Sequence, residues 1–291
     1  MNIEDLNLIE TFLHNALLII GFPPAEWTTV IDLQIPKRSD NPLVNRMCCI
    51  QLFHPRYNTI NKVLGRRVQS SAEDSNAIEA DQYGSRKHHK AICALLNKIL
   101  LNDIIRQRKR AGALAIVDAK GCYDRINHTF AILVLIGFGL CWLHAKVLFE
   151  VLQLAEHRIK TGFGVSEPAY GLEDDEPLMG VGQGNGNGCC VWTLISSKMI
   201  ETMKKRNHRA YFRSALSLTL ITIAAFSYVD DSDIPMIAQN TDTSGEEIRH
   251  EFQAQLDCWS QLLVATGGEL DPNKSHCYII DFKWTGSKWK Y

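Results

Sequence analysis

Two adjacent carboxylates, Asp230 and Asp231, sit in the run Ser227-Tyr228-Val229-Asp230-Asp231-Ser232-Asp233, and a third, Asp118, closes the apolar run Ala113-Leu114-Ala115-Ile116-Val117. Carboxylates from two elements that can face each other are what a hard divalent cation takes as ligands. Asp118 with Asp230 and Asp231 therefore points to divalent-metal chemistry. Taken alone, Asp-Asp-Ser is also ordinary turn chemistry, and a reading in which every acid is a cap or a turn residue stays open. Further along, Glu269-Leu270-Asp271-Pro272-Asn273-Lys274-Ser275 reads as a turn.

The elements that must position these residues follow from pattern. Apolar and β-branched residues over 218–226, and again over 234–238, make the Asp230 region a hairpin tip between two strands. Adjacent side chains alternate faces, so Asp230 and Asp231 are expected to point different ways. The run 113–117 reads as a strand buried on both faces, which delivers Asp118 to the edge of a covered sheet. Helices are expected over 1–22, ending at Gly21 and Pro23-Pro24; over 53–68, with 70–75 a loop; over 91–110, broken by Gly112; over 129–142 and 145–156; over 189–206; and over 245–264. Strands are expected at 27–35, 157–164 and 276–282. On the 91–110 helix the stripe Ile92, Leu95, Leu96, Ile99 and Leu100 is expected to be core. Asp124 is a candidate cap for the helix that follows it.

The run Gly180-Val181-Gly182-Gln183-Gly184-Asn185-Gly186-Asn187-Gly188 opens a helix but lacks the spacing of a dinucleotide fingerprint, because no third glycine falls where G-x-G-x-x-G needs it. What remains is a backbone able to approach a ligand closely, with one amide side chain, Gln183, in its middle.

The chain has 291 residues, a net charge of −1 and 46% hydrophobic residues, ample for a buried core. Charge is unevenly spread: residues 30–110 carry 15 Lys and Arg against 7 Asp and Glu, which suits a polyanion-binding element beside a metal-binding one. Nine cysteines with no Cys-x-x-Cys read as reduced thiols rather than a zinc site or a disulfide framework. The N-terminus has no signal-peptide pattern and no apolar run is long enough to span a bilayer. The expectation is an intracellular protein, nuclear or cytoplasmic, with no membrane partner.

In order along the chain, strand with Asp118, glycine-rich loop with Gln183, hairpin Tyr228-Val229-Asp230-Asp231, helix and turn with Lys274 resemble a reverse transcriptase, most closely its non-LTR retroelement and group II intron branch. Asp118 through Asp124 looks like the family's first catalytic motif, Gly180 through Gly184 like its Gly-x-Pro-Gln-Gly motif, and Tyr228-Val229-Asp230-Asp231 like its Tyr-x-Asp-Asp box. The resemblance implies an α+β right-hand fold: an N-terminal helical segment at 1–29, fingers at 30–112, and a palm at 113–291 whose mostly antiparallel sheet packs on helices, with the thumb absent. It implies RNA-directed DNA synthesis, with deoxynucleoside triphosphates added to a DNA primer on an RNA template as one piece of a longer retroelement polyprotein. Such synthesis is in-line phosphoryl transfer served by two Mg2+ (or Mn2+) ions about 4 Å apart.

By the same resemblance, Asp118 and Asp230 bridge the metals, with Asp231 as a supporting acid. Lys274 approaches the triphosphate and protonates pyrophosphate, and Tyr123 stacks under the incoming sugar. Gln183 and Gly184 meet the nascent base pair, Lys37 and Arg46 neutralise the triphosphate, and Arg86 belongs to a Gln82-x-Gly84-x-Arg86 nucleotide-binding segment. Departures are Gly182 for the usual proline, Met47-Cys48-Cys49 after Arg46, and Ser85 in place of a common aromatic. Rival readings are a nucleic-acid-binding remnant without catalysis and a metal-dependent phosphohydrolase.

Overall fold

A computed structural model describes residues 3–37, 47–172, 178–214 and 217–290. In chain order the elements are α1 (Ile3–Ile20), β1 (Thr29–Pro36), β2 (Met47–Leu52), α2 (Pro55–Asp74), α3 (Ala91–Arg108), β3 (Gly112–Asp118), α4 (His128–Gly137), α5 (Trp142–Gln153), β4 (Glu156–Thr161), β5 (Gly164–Val165), α6 (Gly188–Lys205), β6 (Ala210–Arg213), β7 (Leu220–Ile223), β8 (Phe226–Tyr228), β9 (Asp231–Ile237), α7 (Gly245–Ala265), β10 (His276–Ile280), β11 (Lys283–Trp284) and β12 (Trp289–Lys290). The fold is α+β, as expected. Two compact units form, each from two separate stretches: Met1–Ala77 with Tyr123–Val191, and Ile78–Cys122 with Trp192–Tyr291.

The first unit is built on the sheet β2-β1-β4-β5, in which β1 runs antiparallel to β2 and parallel to β4. Its helix α2 starts with Pro55 in the first turn, where a missing N–H costs nothing. The helix continues through Ser70 and Ser71, which were expected to be loop, because Leu64, Val68 and Ala72 extend its buried stripe by one more turn. The single helix expected over 129–142 ends early, at Gly137. Gly139 takes a φ of +96°, and a new helix starts at Trp142. The cap of α4 is Asn127, whose side chain accepts the Phe130 N–H, and not Asp124.

The second unit is organised on the sheet β10-β3-β9-β8, antiparallel throughout. α7 is started by a full capping box between Ser244 and Glu247 and buries Ile248, Phe252, Trp259 and Leu263. Burial along β3 alternates between full and partial, so the strand is not covered equally on both faces; an antiparallel sheet tolerates this. α3 ends one turn before Gly112, with Lys109 in the left-handed region at φ +52°. Its expected core stripe is on the outside: Ile92 is 61% and Leu96 53% exposed, while Ala94, Leu101 and Ile105 pack with Phe212, Phe226 and Phe282. Apolar residues occur all round this helix, so periodicity did not single out the face that packs. All nine cysteines are free, and no helix among the described residues is long and apolar enough to cross a membrane.

Candidate active site

In the second unit, strand register assembles the acids. β3 and β9 pair so that Asp118 lies directly opposite Asp231, and directly opposed residues project from the same face. Asp230 is exposed in the two-residue turn, Val229-Asp230, that joins β8 to β9. Burial raises the Asp231 carboxyl above its usual range, and repulsion from Asp230, Asp118 and Asp233 raises it further, against the pull of Lys98. Asp233, two residues along the same strand, holds the Lys98 ammonium at 2.6 Å.

The Lys274 turn is fastened to the end of β3 by backbone. Asp118 O accepts the Asp271 N–H at 3.0 Å, Glu269 O accepts the Lys120 N–H at 2.8 Å, and Ser275 Oγ accepts the Asp118 N–H at 3.3 Å. Lys274 Nζ is thereby set 2.9 Å from Asp118 Oδ2 and 3.5 Å from Asp271 Oδ2. The hydrogen bond to Asp118 holds the lysine charged above its usual range.

The turn that carries Asp230 is strained and braced. Val229 has φ +58°, a conformation costly for a β-branched residue, and turns of this kind normally place glycine there. The Trp192 indole N–H, from α6, donates to Val229 O. Gly84 lies under the turn so closely that a Cβ on it would stand 2.2 Å from Val229 N. Gln82 completes the support, with its side-chain amide donating to Ser196 and to Ser227 at 3.3 Å. Thr193 Oγ1 donates to Gly84 O at 3.1 Å. The Gln82-x-Gly84-x-Arg86 segment therefore forms a buttress behind the Asp230 turn. Arg86 itself donates to Glu79 O at 3.0 Å and Gln82 O at 2.7 Å, gathering the carbonyls of its own loop.

In the first unit, Tyr123 is tied to the glycine loop. Its carbonyl accepts the Val181 N–H at 2.7 Å, and its hydroxyl reaches Cys189 Sγ at 3.5 Å. The loop is sewn to β2, with Gln51 N–H donating to Gln183 O at 2.7 Å and the Cys48 thiol facing Gln183 Oε1 at 3.3 Å. At Gly184, with φ +121°, a Cβ would fall 2.2 Å from Gln51 O, so only glycine allows this approach. Lys37 is exposed just beyond β1, and Arg46 lies outside the described residues.

Of the expected site residues, register and turn bring Asp118, Asp230, Asp231 and Lys274 together in one unit, and the loop contacts bring Tyr123, Gln183 and Gly184 together in the other. Among the described residues, no three His, Cys, Asp or Glu side chains stand close enough to hold a metal ion as they are. The chemistry of the acids nonetheless suits a hard cation. All the donors are oxygens, Asp231 is raised by burial and then by its neighbours' charge, and the Asp118 carboxylate has drawn an ammonium onto itself.

A family model described as reverse transcriptase (RNA-dependent DNA polymerase) matches residues 35–289. The chain belongs to the reverse transcriptase family. Solved structures similar in fold to this reverse transcriptase chain include telomerase from Candida albicans with a fragment of telomeric RNA, at TM-score 0.54 and 12% identity, covering 95% of this chain and 46% of that one. Telomerase from Candida tropicalis, also with a telomeric RNA fragment, has TM-score 0.52 and 13% identity, covering 88% and 41%. The chain thus spans less than half the length of either, and at such identity the likeness is one of fold. No curated protein matches.

Sequence reasoning missed Lys98 and Trp192, which meet the carboxylate hairpin of this reverse transcriptase chain. Lys98 lies on a helix 135 residues before its partner Asp233, and no local pattern announces such a pairing. For Trp192 a signal did exist: a valine in a two-residue hairpin turn demands support from outside the hairpin.

Proposed function

We propose that this chain is the DNA-synthesising module of a retroelement reverse transcriptase of the non-LTR or group II branch, adding deoxynucleotides to a primer 3′ end on an RNA template. The observation that carries the reading is the register of Asp118 against Asp231, with Asp230 at the adjoining turn and Lys274 on Asp118. Residues 30–112 correspond to fingers and 113–291 to palm. Asp118, Asp230 and Asp231 would hold Mg2+ or Mn2+, which when bound would neutralise charge at the attacking 3′ oxygen and the leaving pyrophosphate. Lys274, kept protonated by Asp118, would supply a cation and a proton donor on the triphosphate side of the site. Tyr123, packed against the glycine loop, would underlie the sugar. Gln183 and Gly184 would face the nascent base pair, while Lys37, Arg46 and Arg86 would serve the triphosphate side, Arg86 through the loop it organises.

The test is Mg2+- or Mn2+-dependent extension of a DNA primer annealed to RNA, comparing wild type with Asp118→Ala and Asp230→Ala. Loss of a carboxylate that holds the metal should lower the rate by on the order of 10³-fold, the equivalent of several kcal/mol of charge stabilisation. Metal-dependent hydrolysis of small phosphate esters without template would favour the phosphohydrolase. Template binding without extension, by this chain and by a longer protein containing it, would identify a non-catalytic remnant.

A further inference from the structure

The first unit contains a cavity of about 230 Å³ formed by β1, β2 and the stretch that leads into the glycine loop. Asp32, Asp124 and Gln51 supply its polar side, and Phe53, Leu152 and Met179 part of its apolar wall. Asp32 is fully buried. Its Oδ2 accepts a hydrogen bond from the Tyr170 hydroxyl and faces His157 Nδ1 at 3.1 Å, whereas its Oδ1 has no hydrogen-bond partner. No lysine or arginine is among the described residues of the lining. Burial, with Asp32 adding to it, raises the Asp124 carboxyl above its usual range. The Cys49 thiol, which also hydrogen-bonds the Asp32 carboxylate, is pushed up to about 11 by burial and then by the charge of the two carboxylates. A buried acceptor with no donor is costly, and a pocket that keeps one beside a second acid is short of a cation that can donate hydrogen bonds.

An ammonium is strongly hydrated and costly to strip of water, whereas a planar delocalised cation is weakly hydrated and offers parallel N–H groups to a carboxylate. The volume is below that of a drug-sized pocket and suits a ligand of about one ring. We propose that this cavity binds a small planar organic cation of the amidinium or guanidinium class, its N–H groups donating to Asp32 Oδ1 and its apolar body lying against Phe53, Leu152 and Met179. The ligand would rest against Gly180 and Gly182, which also line the cavity, next to the residue that carries the Gln183 amide. The proposal does not depend on polymerase activity.

Calorimetric titration of the intact chain with benzamidinium, beside its neutral isostere benzamide, tests it directly. The expected result is saturable binding of one benzamidinium, with benzamide at least about tenfold weaker, as a charge-assisted hydrogen bond requires. Asp32→Asn should weaken benzamidinium by a similar factor and leave benzamide little changed. Equal binding of the two compounds, no binding of benzamidinium, or undiminished binding by Asp32→Asn would each overturn the proposal. Should Asp32→Asn fail to fold, the comparison of the two compounds on the wild type still decides.

Discussion

Asp81 shows how one residue can set the stability of the frame behind the candidate active site. It is buried, and its Oδ2 accepts the Ala224 N–H at 2.8 Å and meets Lys204 Nζ at 3.0 Å, the same ammonium that lies 2.7 Å from Glu79. Burial raises the Asp81 carboxyl above its usual range even though Lys204 lowers it. A carboxylate raised in the folded state contributes stability that is full below its unfolded value and is lost as pH climbs through its folded value. Removing Lys204 takes away the chief opposing charge and pushes the folded value higher still. Lys204→Met is therefore expected to cost about 3–5 kcal/mol near neutral pH, as for a broken buried pair. The cost should shrink at acidic pH, as Asp81, raised by burial, takes up a proton. Urea unfolding of wild type and variant at neutral and acidic pH checks the sign; a cost that grows on acidification would contradict it.

At the scale of elements, the decisive object is the hairpin β8–β9, because its turn presents Asp230 and its register places Asp231 across from Asp118. A valine at φ +58° does not hold such a turn unaided. Gly84→Ala should cost about 1–3 kcal/mol as an overpacked contact against backbone. Trp192→Phe, which removes the donor and part of a buried ring, should cost about 2–3 kcal/mol, the lost hydrogen bond plus the space left behind. Both should lower primer extension by more than their stability loss accounts for; unchanged extension would show that the turn needs no brace. The placement of α3 gives a second contrast. Leu101→Asp, on the packed face, is expected to unfold or strongly destabilise the second unit, while Ile99→Asp, 48% exposed, should stay within about 0.5 kcal/mol of wild type in thermal unfolding. The opposite ranking would return the apolar stripe to the core.

For the molecule as a whole, a net charge of −1 gives no general attraction for nucleic acid, so the proposed template binding would have to come from local basic surface. Lys62, Arg66 and Arg67 stand exposed on α2. Affinity for an annealed RNA–DNA duplex is expected to fall linearly on a log–log plot against salt, and alanine at these positions should reduce the slope by about one for each cation that meets a phosphate. A slope unchanged in the triple variant would place the contact elsewhere, as a filter-binding or anisotropy titration would read. By itself the sequence determined the α+β class, most of the helices, the family, and the residue types at the carboxylate site, because turn chemistry, apolar runs and motif order are local or sequential properties. It marked the glycine loop as a backbone able to approach a ligand; in the structure the close approach at Gly184 is to Gln51 of the chain itself. Only the tertiary structure decided that Asp231 is the residue across from Asp118, that Lys98 and Trp192 serve the same hairpin, which face of α3 is buried, and that Asp32, His157 and Tyr170 converge on one cavity. Register and long-range packing depend on which surfaces meet, and residues more than a hundred positions apart carry no local trace of the partner they will find.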